Sequence, residues 1–180
     1  LSRSGGVGRV TSVNLRGASS DQLLVLIDGV RVADQASPAG GFAFGNLLLG
    51  TAGKIDVLRG SNSTIWGSEA VGGVIDVSTR TERGMSGSVE FGARDTLFAS
   101  AAAGTGNDAV FFGLTGSWYE TDGFSAAASG TEADGAQQFA LGTTAFVNLT
   151  PSLELFAHGN FAEGEVESDG FPAPTFVLAD

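Results

Sequence analysis

The chain has 180 residues, of which 9 are basic and 20 acidic, so its formal net charge is −11, and it has no cysteine. This length fits one domain or two small ones. The acidic balance argues against a nucleic-acid-binding protein, which needs clustered lysine and arginine, and the lack of cysteine excludes a disulfide scaffold and a thiolate metal site.

The first predicted elements are short strands. Residues 1–9 are rich in glycine and serine and carry no predicted element, whereas the alternation of apolar and polar residues over 10–16 predicts a half-buried strand. Residues 23–27 are continuously apolar, as in a strand that is covered on both faces. Asp28-Gly29 is a strong hairpin signal, because glycine tolerates a positive φ and aspartate hydrogen-bonds the turn backbone. Residues 30–32 are therefore predicted to return as the partner strand.

A long loop follows this hairpin. Residues 33–46 contain Pro38 and three glycines, and loops of this length without secondary structure are often functional. Phe42 and Phe44 alternate within it and are expected to anchor the loop on the core. The apolar run at 47–49 is too short to classify and would fit the end of a short helix that packs on the sheet.

Residues 54–80 are predicted to form a strand, a tight irregular loop and a second strand. A short apolar run at 55–58 ends at Gly60, and a polar turn with one large aromatic, Trp66, follows it. Gly72 and Gly73 then open the second run. Two adjacent glycines predict either close backbone packing or a bend that a Cβ would block. On spacing alone, this stretch equally fits an ordinary hairpin of a secreted β protein.

The sequence of these pieces resembles the plug-domain signature of TonB-dependent outer-membrane receptors. Within that family the cobalamin and siderophore importers are the most similar. Ser61 stands where such receptors often carry proline, and Asp76 where asparagine is common; both departures leave the substrate open. The matching pieces, in chain order, are VNLRG at 13–17, LVLIDGV at 24–30, IDVLRG at 55–60, STIWGSEA at 63–70 and GGVIDV at 72–77.

Beyond residue 84 the chain becomes a series of long alternating runs. Each run is roughly as long as the ~9–11 residues that a tilted transmembrane strand requires. Short connectors alternate with long ones, as in outer-membrane barrels, except that the connection at Arg94-Asp95 is tight on the side of the long loops. The strands of a soluble sandwich also alternate apolar and polar residues. Here, however, the polar face of each run carries mostly small residues, which suit the space between a barrel wall and an element that fills the barrel. The runs lie within residues 85–94, 96–103, 110–119, 138–149 and 153–161.

The predicted fold class is therefore mainly β, with a plug domain built on a small mixed sheet at 1–82 and the first antiparallel strands of a transmembrane β-barrel at 83–180. The resemblance implies a 22-stranded barrel with the plug inside it. The N-terminal residues do not show a charged region followed by an apolar core, and the pattern starts and stops in mid-course. We therefore expect a fragment, with a signal peptide and a TonB-contacting segment upstream of residue 1.

Catalytic and metal chemistry are not indicated. His158 is the single histidine, and a lone histidine on a strand is more often a hydrogen-bonded polar residue than a metal ligand. No Gly-x-Ser-x-Gly elbow is present, so we predict no enzyme and no cofactor. Four acidic residues in one predicted loop leave a calcium site open, although a solvated acidic loop is favoured because their spacing matches no known loop motif. They are Glu163, Glu165, Glu167 and Asp169.

The resemblance implies a function: active import of a scarce, large nutrient, cobalamin or a ferric siderophore, across the outer membrane of a Gram-negative cell. The implied partners are TonB, which delivers the energy, the nutrient, and outer-membrane lipid. Outward-facing plug loops are expected to contact the ligand, with Trp66 stacking on a ring unless it is buried in the plug. The residues expected to hydrogen-bond the ligand are Asp34, Gln35, Ser37, Asn62, Ser63 and Thr64.

Two arginines are implied to anchor the plug. Arg16 and Arg59 each precede a glycine at a predicted strand end, and the resemblance implies that they pair with glutamates of the barrel wall. An arginine in a barrel lumen needs such a carboxylate, because losing one partner leaves an unpaired charge. The alternative from another functional class is a secreted, glycine-rich, all-β binding or adhesion protein.

Overall fold

A computed structural model describes residues 2–3, 11–34, 40–47, 49–125 and 133–167. The fold is mainly β, and in these ranges no helix is both long and apolar enough to cross a membrane. The strands are β1 (Ser2–Arg3), β2 (Thr11–Ser12), β3 (Leu23–Ile27), β4 (Val30–Val32), β5 (Ala52–Arg59), β6 (Gly73–Thr79), β7 (Gly84–Gly92), β8 (Thr96–Gly106), β9 (Val110–Thr121), β10 (Ala136–Thr150) and β11 (Leu153–Val166). One short helix, α1 (Ser63–Trp66), and 3-10 helices at Ser20–Gln22, Phe44–Asn46, Leu49–Thr51 and Ser68–Ala70 complete the described elements.

The small sheet is four-stranded, in the order β4-β3-β6-β5. β3 and β6 pair in parallel, and the other two pairs are antiparallel. The predicted two-sided burial of β3 is confirmed, because its alternate residues enter two different clusters. Leu23 and Val25 pack with Ile75 and Val77 on one face, and Leu24 and Leu26 pack with Ala70 and Val74 on the other.

Turn geometry explains several local features of the small sheet. Asp28 (φ 50°) and Gly29 (φ 76°) form the predicted hairpin turn. The strand predicted at 10–16 is wrong beyond Ser12, because Leu15 and Ala18 exchange both backbone hydrogen bonds across a tight turn with Arg16 at its tip. A turn of this kind ends the extended run, since its two central residues have positive φ.

The paired glycines confirm the expectation of close packing. A Cβ on Gly73 would lie 2.5 Å from the carbonyl oxygen of Leu58, and one on Gly72 would collide with the Cβ of Ala18. The polar turn predicted at 61–67 contains the single turn of α1. This loop precedes β6 and so lies at the end of the small sheet opposite to Thr79.

The long sheet is a five-stranded antiparallel meander, β7 to β11, with neighbours in chain order. Its turn at Arg94 (φ 60°) and Asp95 (φ 49°) is tight, as predicted. One prediction needs correction: a long loop was expected from residue 162, but β11 continues to Val166, which pairs with Ala136. Glu163 and Glu165 therefore lie in a strand rather than in an acidic loop, and Asp169 lies outside the described residues.

Burial in the long sheet is the reverse of that in a soluble protein. Along β9 the side chain of Thr115 is 2% exposed, whereas its neighbours Phe112 and Leu114 are 52% and 42% exposed. β10 repeats the pattern, with Gln138 and Thr144 buried and Phe139 exposed. On β9 and β10 the covered face carries mostly small and polar residues, with Phe111 among them, and the open face is apolar, which is the arrangement of barrel strands around a filled lumen and the opposite of a soluble sandwich.

The small sheet and its loops cover the polar face of the long sheet. The backbone packs tightly at Gly50, where a Cβ would lie 2.5 Å from the Cβ of Ser117 and 3.0 Å from the ring of Phe98. Gln138 extends the contact by donating from Nε2 to the carbonyl oxygen of Gly45 at 2.8 Å. The backbone of the loop before β5 is thus packed directly on the strands.

Gly50→Ala is predicted to loosen this packing. The added methyl group has no room against Ser117, and overpacking of this kind costs about 1–3 kcal/mol. Amide hydrogen exchange of Leu23–Ile27 as a function of urea would measure the loss.

The matched control for this substitution is Gly116→Ala, one residue before Ser117. A Cβ there meets its nearest neighbours at an ordinary 3.9 Å, so the urea midpoint should stay unchanged. Equal midpoints for the two variants would contradict the packing at Gly50.

Candidate functional site

A buried carboxylate joins the small sheet to the long sheet. The side chain of Asp28, in the β3–β4 turn, is 3% exposed. The backbone N–H of Thr79 donates to its Oδ1 at 2.6 Å, and the hydroxyl of Thr79 donates to its Oδ2 at 2.6 Å. From β11, Nδ2 of Asn160 donates to Oδ2 at 3.1 Å, and Nδ1 of His158 lies 3.7 Å from the same oxygen. We call these four residues the Asp28 clamp.

The electrostatics of the clamp favour the charged form of Asp28. Burial alone raises the pKa of this carboxyl, because it disfavours the ion. The hydrogen bonds from Thr79 and Asn160 and the charge of His158 outweigh that effect, so the pKa of Asp28 is lowered from its ordinary value. The clamp therefore holds an ionised carboxylate.

The histidine of the clamp is fixed on the inner face of the long sheet. Its Nδ1 lies 3.3 Å from the hydroxyl of Thr144, the residue opposite it on β10. Its ring lies 5.7 Å from that of Phe156. This confirms the interpretation of His158 as a hydrogen-bonded polar residue, and among the described residues no group of three or more acidic or histidine side chains could hold a metal ion.

A cavity of about 420 Å³ lies between the small sheet, the loop after β4 and the long sheet. Asn160 and Thr79 of the clamp form part of its lining, and Asp34 and Phe42 line it from the loop. The remaining lining is mostly apolar and comprises Ile27, Val32, Ala33, Ala43, Leu47, Thr51, Ala52, Val77, Ala140, Leu141, Phe161 and Ala162. The cavity suits a largely apolar group with a few polar attachment points.

The structure separates the predicted ligand-contacting residues into two places. Asp34 borders the cavity, and its backbone N–H donates to the carbonyl oxygen of Gly41 at 2.7 Å. Gln35 and Ser37 lie outside the described residues. The others lie in the loop around α1, away from this cavity: Asn62, Ser63, Thr64 and Trp66.

The loop around α1 presents apolar side chains at its surface. Within the described residues Trp66 is 43% exposed and Ile65 is 79% exposed. Asn62 bonds its own loop, donating from Nδ2 to the carbonyl oxygen of Gly60 at 2.9 Å, and the hydroxyl of Ser63 lies 3.1 Å from that of Ser61. Thr64 is exposed. The loop is thus held by its own hydrogen bonds, and none of the other described residues buries Trp66 fully.

The two arginines predicted to anchor the plug are both exposed. Arg16 lies at the tip of the turn before Ala18, and Arg59 ends β5 opposite Gly73. Within the described residues neither one reaches a carboxylate. Their predicted glutamate partners remain a prediction for strands other than β7 to β11.

Sequence reasoning missed the residues that do join the two sheets. The sequence indicates a turn at Asp28, within the matching piece at 24–30, and it places Gln138 and Asn160 in the predicted runs at 138–149 and 153–161. The available signal was the polar face of these runs: on strands whose covered face is polar, long amides and histidine among small residues mark positions that reach across to another element.

Comparisons with known proteins agree with this arrangement. Residues 1–74 match the family model of the TonB-dependent Receptor Plug Domain. The vitamin B12 transporter BtuB of Vibrio vulnificus (strain CMCP6) is 37% identical over 130 residues, which are 69% of this chain and 21% of that protein. BtuB of Vibrio cholerae (strain M66-2) is 37% identical over 107 residues, covering 58% of this chain and 17% of that protein. The chain thus spans about a fifth of the length of these relatives.

Solved structures show the same fold at low sequence identity. The copper transporter OprC superposes with a TM-score of 0.73 at 18% identity, covering 92% of this chain and 26% of that one. The pyoverdine receptor FpvA of Pseudomonas aeruginosa PAO1 superposes with a TM-score of 0.67 at 14% identity, covering 94% and 25%. Their strands support the arrangement of β7 to β11 as part of a barrel.

Acid is predicted to weaken the clamp. The pKa of Asp28 is lowered by folding, so its contribution to stability is present above the unfolded-state pKa of about 3.9 and is lost as the pH falls through the folded-state pKa. Asp28→Asn should therefore destabilise the small sheet by about 1–3 kcal/mol at pH 7, with a difference from the unaltered protein that shrinks below pH 4. Urea-dependent hydrogen exchange at several pH values measures this.

Asp95→Asn is the matched control, because Asp95 is exposed and has nearly the same positive φ as Asp28. It should change neither the urea midpoint nor its pH dependence. A destabilisation by Asp28→Asn that stayed constant from pH 7 to pH 3 would rule out the ionised carboxylate as its source.

Proposed function

Since the chain belongs to the family of TonB-dependent outer-membrane receptors, as its plug domain shows, we propose that the whole protein actively imports a large, scarce nutrient across the outer membrane. The single observation that carries this proposal is the reversed burial of the long sheet, whose polar face is covered by the small sheet. Strands of this kind need lipid on one side and a filled lumen on the other. A secreted adhesion protein would need neither.

The proposed division of labour follows the two sheets. Residues 1–82 form the plug, which closes the pore, and residues 83–180 contribute the first strands of the wall. The apolar outer stripe of β9 and β10, with Phe112, Trp118 and Phe139, faces outer-membrane lipid of a Gram-negative cell. Energy comes from TonB, through a segment upstream of residue 1.

We propose cobalamin as the first candidate ligand and a ferric siderophore as the second. The vitamin B12 transporters BtuB are similar to this chain at 37% identity, whereas the siderophore receptors resemble it below 25%. The exposed Trp66 offers a flat apolar surface, on which a large ring system can stack. Asp34 lies in a different place, at the edge of the cavity between the sheets.

Uptake in living cells tests the proposal. Expression of the protein from its own gene, in a Gram-negative strain that lacks its cobalamin receptor, should restore growth on limiting cobalamin only when TonB is present. Parallel cultures with ferric siderophores as the sole iron source test the second candidate. Failure of all these ligands, with the protein shown to be at the cell surface, would contradict the proposal.

Trp66→Ala should weaken ligand binding about tenfold, equivalent to about 1.4 kcal/mol, because it removes the stacking surface. Ile65→Ala is the matched control, since Ile65 lies on the same helical turn and is the more exposed of the two. Binding of radiolabelled ligand to whole cells measures both. Equal affinities for the two variants would remove Trp66 from the ligand site.

Arg59→Ala is predicted to loosen the plug, because the carboxylate that pairs with it in the wall would lose its partner. The outer membrane should then become more permeable to bulky antibiotics. Growth inhibition at equal surface levels is the measurement, and Arg59→Lys, which keeps the charge, should largely preserve the seal. Unchanged sensitivity of Arg59→Ala would count against an anchoring role.

A further inference from the structure

We propose that the Asp28 clamp is the releasable contact between plug and wall, and that the plug moves by breaking the hydrogen bond from Asn160 and the contact with His158 while keeping the hydrogen bonds from Thr79. This inference rests on the proposed function, in which the plug must shift to let a ligand pass. It assigns a positioning role to Asp28, which the sequence marked as a turn residue.

The contacts of Asp28 divide cleanly into two halves. Thr79 lies at the end of β6, in the same sheet as the hairpin turn, so its two hydrogen bonds persist when the plug moves as one body. Asn160 and His158 lie on β11 of the wall, so their contacts must break in any movement of plug against wall. The carboxylate of Asp28 is therefore bonded by the plug and by the wall at the same time.

The division makes the contact reversible. Removing every partner from a buried charge is strongly unfavourable. Here each carboxylate oxygen keeps one donor after release, because the N–H of Thr79 bonds Oδ1 and its hydroxyl bonds Oδ2. The plug can thus leave the wall without leaving the carboxylate of Asp28 unpaired. The two hydrogen bonds from Thr79 also keep the carboxylate in the orientation in which Asn160 can bond it again.

The position of the clamp suits a release point. Only four residues separate Thr79 from β7, the first strand of the wall. In this linker Arg80 remains bound to the plug through the carbonyl oxygen of Ala52 at 3.1 Å, and Arg83 is bound to the wall through Asp108 at 2.5 Å. The clamp thus lies beside the covalent connection, so the linker keeps Asp28 near Asn160 after release and the contact can form again. Asn160 also lines the cavity, so release changes the cavity wall.

A double-mutant cycle tests the clamp without ligand and without TonB. Asp28→Asn, Asn160→Ala and the double variant are expressed at equal surface levels in cells that lack TonB, and sensitivity to a bulky glycopeptide antibiotic is measured. Each single variant should raise sensitivity at least fourfold. The double variant should be no more sensitive than the stronger single one, because both changes remove the same contact.

Two controls separate release from general damage. Asn148→Ala removes an amide whose hydrogen bond stays within the wall, to the carbonyl oxygen of Asp108 at 2.8 Å, and should leave sensitivity unchanged. Gln138→Ala removes an independent plug–wall contact and should add to Asp28→Asn. Additive effects of Asp28→Asn and Asn160→Ala, or equal leakage from Asn148→Ala and Asn160→Ala, would overturn the clamp.

Failure of the clamp and failure of the proposed function are distinguishable. If no nutrient is taken up but the cycle is non-additive, the clamp is supported and the transport proposal is wrong. If uptake depends on TonB but the cycle is additive, transport is supported and the plug is released elsewhere.

Discussion

The structure depends on one constraint: strands that turn polar side chains to one face and apolar ones to the other need a different environment on each side. On β9 and β10 the polar face carries Thr115, Gln138 and Thr144, all buried, and the apolar face carries Phe112 and Trp118. Buried polar groups must find hydrogen-bond partners. Thr115 and Thr144 find theirs within the long sheet, at the carbonyl oxygen of Gly142 and at Nδ1 of His158, whereas Gln138 bonds the carbonyl oxygen of Gly45 in the loop that covers this face.

The small sheet and its loops contact the long sheet mostly through close backbone packing, with a few hydrogen bonds. Gly50 brings backbone against Ser117 where no side chain fits. Gln138 donates to a loop carbonyl, and Asp28 accepts a hydrogen bond from Asn160 of the wall. Because these contacts are sparse and separate, the two sheets fit closely without sharing a continuous apolar core. A closed pore that must open again is compatible with such an interface.

The sequence predicted the sheets better than the way they meet. The run at 23–27, the turn at Asp28-Gly29 and the alternating wall strands are local patterns, so periodicity and turn chemistry were sufficient. The tight turn at Arg16 and the extension of β11 to Val166 were missed because backbone hydrogen bonds decided them. The Asp28 clamp could not be predicted from the sequence, because Asp28 and Asn160 are separated by 132 positions and nothing in either segment indicates the other.

The connectivity of the two sheets has a consequence for the order of assembly. The long sheet is a meander in which every strand pairs with its chain neighbours, so it can form hairpin by hairpin, and the longest loop to close is the one between β9 and β10. In the small sheet, β3 must pair with β6 across about 50 residues, and non-local pairing of this kind is slow. We therefore expect the hairpins of the meander to form early and the parallel pair late. The bond between Asp28 and Asn160, which needs both sheets, would close last and mark the end of folding.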